Sequence, residues 1–429
     1  MTSWRSAHRS RSHDSAHAES DDAGGHHDHV DHPLVPRGPA PLLVDQDSLD
    51  KLVDELRAAG AFAYDTEFIG ELSYHPLLCV IQVATAQRVV LVDPMVELDL
   101  TRFWELLADE SVLKIVHAGE QDVEPVARHL GRSRGARYVV DTQIAAGFAG
   151  MAFPVALSKL VHELAGVKLG KGLTFTHWDQ RPLSAVQLRY AADDVRYLPA
   201  IWDALRQRLE SLGHLDWARQ ECDAMCDPSH FGFNRDATFL KMRGAGNLSN
   251  PQLMILRELS VWRDGAARAA NAPPRALVRD EVLVDLSRSP AKTIEKLSRV
   301  RGLPRPVEAE HGQEIVEATL RAASMPPEHL APPKHAEPTP TQRFRADALF
   351  TTAAALCAAR SIDLALAASR QDIGELHRRL LTSESVEDLP LFNGWRREAL
   401  GEPLLRFTRG EEILSLAWRD GALRGEPRA

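Results

Sequence analysis

Three apolar segments, Ala61–Glu67, Leu77–Thr85 and Arg88–Asp93, follow one another with only short gaps. A parallel crossover needs a dozen residues or more, so segments this close are expected to pair as antiparallel strands. The pattern then changes. Helical spacing appears around Leu100–Leu107, followed by a strand at Leu113–Ala118, a helix from Gln121 to Leu130, a short strand at Tyr138–Val140 and another helix. Strands that alternate with helices lie parallel. Ahead of the set, a helix opens near Asp47 or Ser48 and carries Leu49, Leu52, Val53 and Leu56 on one face. Residues 39–225 therefore read as one α/β domain, a mixed five-stranded sheet flanked by helices.

The remainder reads differently. In 245–325, Leu253, Leu256, Leu259 and Trp262 form a helical apolar stripe, Arg279-Asp280-Glu281 opens a second helix, and Thr293 to Leu297 a third. Residues 326–341 are rich in Pro and read as a linker, and 342–422 as a second helical domain. Residues 1–38, rich in His, Ser, Asp and Arg, are expected to be a disordered tail. Simple solvation is the plain reading of its histidines, with loose metal binding the alternative. A length of 429 residues accommodates roughly two to four such units.

Composition excludes several classes. No run approaches the ~20 apolar residues of a membrane helix, and the N-terminus lacks the apolar core of an export signal. Cys222 and Cys226 are separated by three residues, one more than C-x-x-C, and no second pair completes a zinc pattern. With Cys79 and Cys357 they are expected to be reduced, buried thiols of a cytoplasmic protein. A net charge of −9 argues against a generic polyanion binder. It leaves room for a nucleic-acid enzyme whose local positive charge is supplied by metal ions.

Three short strings carry candidate chemistry. In Ala63-Tyr64-Asp65-Thr66-Glu67-Phe68 a strand ends in two carboxylates two positions apart, hence on one face. Two such acids repel unless a cation lies between them; a strand end running into a polar turn is the plain alternative. In Lys114 to Asp122 a strand leads into a helix with Asp122 in its first turn, a position that the helix dipole alone also favours. In Leu188 to Leu198, Tyr190 and Asp194 lie four apart on one helix face, with Asp193 rotated away.

Taken together and in order, these strings resemble the motifs of the DEDD exonuclease superfamily, in the subgroup with tyrosine in its last motif. Leu78-Cys79-Val80-Ile81-Gln82, Val92-Asp93-Pro94, Val140-Asp141-Thr142-Gln143 and Trp178-Asp179-Gln180-Arg181-Pro182-Leu183 further resemble ribonuclease D. Asn250 to Pro304 is similar to the HRDC domain, and the segment holding Ala367 to Ile373 and Gly394 to Glu398 to the second helical domain of that family. The resemblance implies a ribonuclease H-like exonuclease domain followed by two all-helical HRDC-type domains. It implies a 3′→5′ exoribonuclease that releases nucleoside 5′-monophosphates and acts on RNA 3′ ends, with precursor transfer RNA as substrate. Asp65, Glu67, Asp122 and Asp194 match the four metal-binding acids, and Tyr190 the residue that positions the attacking water. No motif position is missing. Hard oxygen ligands favour two Mg²⁺ or Mn²⁺ ions, and no nucleotide cofactor is implied.

Around this set, Lys171 and Arg181 are candidate phosphate contacts or solvated loop charges, and Phe68 and Tyr197 candidate stacking platforms or core residues. His117 reads as a core or supporting residue rather than a ligand. Between Leu248 and Arg321, twelve Lys/Arg stand against ten Asp/Glu, a local balance of +2. Arg257, Arg268, Arg275, Arg279 and Arg299 are its candidate phosphate contacts, or a solvated face. Two other readings stay open: a Werner-type 3′→5′ DNA exonuclease, because the motifs do not distinguish the sugars, and a non-catalytic RNA-binding scaffold.

Overall fold

A computed structural model describes residues 31–70, 73–131, 133–170, 177–330, 338–419 and 422–428. Most of the tail expected at 1–38, and Lys171, lie outside the described residues.

The first domain is built on a six-stranded mixed sheet, one strand more than expected. Its strands are β1 (Leu42–Leu43), β2 (Ala61–Ile69), β3 (Leu77–Ala84), β4 (Val89–Val92), β5 (Leu113–Val116) and β6 (Val139–Asp141), in the order β1-β4-β3-β2-β5-β6. β2, β3 and β4 are antiparallel neighbours, whereas β5 runs parallel to β2, β6 to β5 and β1 to β4. The additional strand is β1, which is only two residues long and too short to show alternation in sequence.

Helices cover both faces. On one lie α1 (Gln46–Ala59), α2 (Thr101–Leu107) and α3 (Glu120–Leu130), whose apolar residues meet Phe62, Tyr64, Ile81 and Val83. α1 starts where the Asp45 carboxylate accepts from Ser48 N at 2.9 Å and stops at Gly60, whose φ of 71° suits a residue without Cβ. Its buried Leu49, Leu52, Val53 and Leu56 are worth about 1.5–3 kcal/mol each. On the other face lie α4 (Thr142–Phe148), α5 (Leu157–Ala165), α6 (Ala185–Arg196), α7 (Leu198–Leu212) and α8 (Leu215–Met225). Packed structure begins within the stretch read as tail: Val35 is buried, and Arg196 donates to the Pro36 carbonyl at 2.8 Å.

A separate core forms around α9 (Asn250–Ala269), α10 (Pro274–Leu277), α11 (Asp280–Arg288), α12 (Ile294–Leu297) and α13 (Arg305–Ser324), led by Leu256, Leu259, Leu283 and Ile315. The last segment comprises α14 (Pro340–Ala359), α15 (Leu364–Ala367), α16 (Arg370–Thr382) and α17 (Glu402–Thr408). It is not all-helical as expected, because it ends in an antiparallel hairpin, β7 (Ile413–Arg419) with β8 (Ala422–Arg428). Its apolar residues join the core beneath α4 to α8. The ring of Trp395 stands edge-on to Phe148 at 4.6 Å, and Arg396 grips Glu221 of α8 with two bonds of 2.7 Å.

Candidate active site

β2 carries two programmes on its two faces. Phe62 and Tyr64 point into the core under α1 and α3, so the alternate residues Asp65 and Glu67 share the opposite face, beneath α6. Asp65 stands directly across from Gln82 on β3, and Glu67 from Val80. The register then slips between Glu67 and Phe68, a bulge just past the second acid, and pairing resumes at Phe68–Leu78 and Ile69–Leu77. On its other edge β2 pairs with β5 only from Ala61 to Ala63, so the end carrying the acids is open on that side.

α3 enters at that opening. The turn from β5 holds Ala118 at φ 55°, and a Cβ on Gly119 would meet Val116 side-chain atoms at 2.6 Å, so only glycine fits there. Asp141 at the end of β6 holds this turn. Its carboxylate accepts from Ala118 N at 3.1 Å, Gly119 N at 2.9 Å and Gln143 N at 2.7 Å. Asp122 is thereby buried in the first turn of α3. Its backbone carbonyl accepts from Tyr64 Oη at 2.9 Å, and its Oδ1 accepts from the Thr66 hydroxyl.

α6 closes the other side. It opens on a reciprocal cap between Ser184 and Gln187 and places Tyr190 and Asp194 on one face, with the tyrosine hydroxyl interacting with the carboxylate. Asp193 is turned away and paired with Arg196 at 3.2 Å. The Trp178 ring lies 6.2 Å from that of Tyr190.

The electrostatics report how close the four acids are. Burial, and then repulsion from Asp122, Asp194 and Glu67, hold the Asp65 carboxyl well above the usual range. Burial with Asp194 and Asp122 raises Glu67 to about 8. Asp122 rises to about 7, chiefly by burial and against the Thr66 hydrogen bond. Asp194 also rises to about 7, by burial and by Asp193. Tyr190 is raised by burial and by the same acids, so its hydroxyl stays protonated and acts as a donor, not a base. All the donors are hard oxygens without His or Cys, which fits Mg²⁺ or Mn²⁺. Among the described residues no three such groups close around one point, and the Oδ1 of Asp122 is engaged by Thr66.

Comparison with known proteins settles the family. A 3′-5′ exonuclease family model matches residues 42–210, and an HRDC domain model residues 252–319. The chain is 33% identical to Ribonuclease D of Gluconacetobacter diazotrophicus over 383 residues, 88% of this chain and 95% of that protein. It is equally 33% identical to Ribonuclease D of Acidiphilium cryptum, over 90% of this chain and 97% of that one. The chain belongs to the ribonuclease D family. Like that family, it is a 3′-5′ exoribonuclease. The crystal structure of Escherichia coli RNase D superposes with a TM-score of 0.74 at 28% identity, covering 87% of this chain and 99% of that one.

Within this ribonuclease D framework the outlying candidates separate. Arg181 is partly exposed, but its guanidinium is committed to protein partners: it donates twice to Asp93 at 2.6 Å and to the carbonyls of Cys79, Trp178 and Gln180, the pattern of a staple. Tyr197 is buried in the core and is no stacking platform, whereas Phe68 is half-buried past the bulge. His117 has both ring nitrogens occupied, by Thr142 Oγ1 at 2.9 Å and the Val155 carbonyl at 3.1 Å. Arg257 is buried against Glu328, and Arg268 is held by Asp264 and Tyr74. Arg275 pairs with Asp280, while Arg279 and Arg299 are exposed. Sequence reasoning gave Asp141 no role beyond its place in the Val140-Asp141-Thr142-Gln143 string, although a lone Asp between a strand and a helix is a cap signal.

Proposed function

We infer that this exoribonuclease removes nucleotides singly from RNA 3′ ends and releases nucleoside 5′-monophosphates, with precursor transfer RNA in the cytoplasm as its substrate. In this reading Asp65, Glu67, Asp122 and Asp194 hold two divalent ions, Mg²⁺ or Mn²⁺. The ions supply a water of lowered pKa and charge compensation for the leaving 3′-oxygen. Tyr190 keeps its proton and orients the attacking water by hydrogen bonding. The acids, partly or fully buried, would hold the ions through hard carboxylate oxygens. The segment after Pro340 is read as a second HRDC-type module that encloses the RNA path together with the first. The observation that carries this reading is the placement of Asp65 and Glu67 on one face of β2, with Asp122 at the start of α3 and Asp194 on α6 near enough to raise their carboxyls, beside a protonated tyrosine.

The test is a time course on a 5′-labelled transfer RNA with a short 3′ extension, in Mg²⁺, in Mn²⁺ and in chelator, beside a single-stranded DNA of matching 3′ sequence. Metal-dependent single-nucleotide shortening of the RNA, slowing near the mature end and sparing the DNA, is the expected result. Faster loss of the DNA would indicate a DNA exonuclease. Asp122→Asn should abolish cleavage and retain RNA binding.

A further inference from the structure

The side chain of Gln82 is completely buried, and neither its Nε2 nor its Oε1 has a hydrogen-bond partner among the described residues. A buried amide in that condition is rare, because a partner lost on burial costs more than a bond made inside returns. Its position limits which partner is meant. On β2 its cross-strand neighbour is Asp65, and on β4 it is Leu91. Directly opposed residues share one face of the sheet, with Cβ atoms about 4.5–5.5 Å apart. Two positions along β3, on the same face, stand Val80 and Ala84, both buried. Above them Ala191 of α6 shares an apolar cluster with Val80 and Leu91. The polar group directly across from Gln82 is therefore the Asp65 carboxylate. Packing alone would be served by a leucine or methionine of similar volume, with no unpaired amide.

We propose that Gln82 is a positioning residue for Asp65: its amide donates to one carboxylate oxygen of the metal-loaded site and leaves the other oxygen aimed at the ion. The inference rests on the metal-dependent reading above. Groups that hold a metal-binding carboxylate from behind commonly govern affinity about 10–100-fold. A neutral donor suits this place, because it holds an ionised carboxylate without competing for the cation.

The experiment compares the full-length wild type with Gln82→Met and Gln82→Asn. Mn²⁺ binding is measured by calorimetry and by the loss of free-ion paramagnetic resonance signal, alongside the chelated protein's melting temperature and kcat and KM on RNA. Gln82→Met should melt at or above the wild type in chelator, since it removes an unpaired buried amide. It should bind Mn²⁺ about tenfold or more weakly and lose kcat with little change in KM. Gln82→Asn, one methylene short, should also weaken Mn²⁺ binding. A crystal structure of the wild type with Mn²⁺ gives an answer even if the variants fail to fold: the amide should lie within hydrogen-bond distance of Asp65. Isotherms that superimpose, or a Gln82 amide turned away from Asp65 in the loaded crystal, overturn the role of Gln82 alone. A wild type that binds no Mn²⁺ overturns the metal reading and this inference with it.

Discussion

The Tyr74 hydroxyl, in the loop that follows the strand of Asp65 and Glu67, donates to Asp264 of the HRDC module at 2.6 Å. The contact is reinforced. Arg268 bonds both groups and lies over the tyrosine ring at 5.2 Å, and Asn271 Oδ1 accepts from Tyr74 N at 3.3 Å. The two modules thus meet through the loop between β2 and β3, by residues that no motif in the chain announces. Tyr74→Phe keeps the ring contact and deletes both the bond to the buried Asp264 carboxylate and the one accepted from Arg268, a loss of about 1.5–3 kcal/mol for the bond to the carboxylate. Hydrogen exchange should rise at 73–76 and in the C-terminal half of α9, and not in the HRDC core around Leu283. Unchanged exchange at both places would mean that the contact does not hold the modules together.

Stability in the absence of metal should depend on pH in the sense opposite to an ordinary salt-bridged protein. Folding raises Asp65, takes Glu67 to about 8 and takes Asp122 and Asp194 to about 7. A carboxyl raised in the folded state contributes stability that is complete below its unfolded value of ~4 and is lost as pH rises through the folded value. In chelator the melting temperature should therefore fall between pH 5.5 and 8.5. Divalent ions replace the protons, so the rise in melting temperature produced by Mn²⁺ should grow over the same range. Glu67→Gln should flatten both trends. Equal Mn²⁺ shifts at the two pH values would count against an ion among these acids.

Asp141 touches none of the candidate ligands, yet it holds the turn that delivers Asp122. In Asp141→Asn one oxygen still serves Ala118 N and Gln143 N, but an NH₂ group now faces Gly119 N–H, donor against donor. Leaving that N–H unsatisfied costs about 1–3 kcal/mol. We expect a lower urea midpoint and a kcat reduced at least tenfold, since misplacement of about 1 Å is enough for a larger loss, with RNA affinity largely retained. A variant with wild-type kcat would show that the turn keeps its shape without the carboxylate.

What was legible in the sequence follows from the range of the forces involved. β2, β3, β4 and β5 were readable because strand alternation and short gaps are local, and Tyr190 with Asp194 because four positions on a helix always face together. β1 was not, since two residues have no period. β7 lies at the end of the stretch read as helical, and its partner β8 lies almost wholly beyond it. The assignment of Asp65, Glu67, Asp122 and Asp194 to one site came through motif resemblance; spacing alone related them only in pairs. Partners such as Thr66 for Asp122 or Tyr74 for Asp264 join residues 56 and 190 positions apart, and nothing local encodes them.

Arg181 shows the same limit from the other side, because a loop arginine beside a Gly-rich stretch looks like a phosphate contact and its partners lie 88 and 102 residues away. Its fork closes on the buried Asp93 with two bonds of 2.6 Å while a third nitrogen holds the 178–180 turn that carries Trp178 to Tyr190. A lysine has no fork and serves at most part of this set. Arg181→Lys should therefore lower the melting temperature and the fraction of active enzyme, with a loss of about 1.5–3 kcal/mol for each charged hydrogen bond left unmade. The molecules that remain folded should show wild-type KM and an unchanged salt dependence of RNA binding, because no phosphate contact has been lost. The measurement pairs a urea melt with RNA binding at several salt concentrations. A shallower salt slope at unchanged stability would return Arg181 to the RNA path.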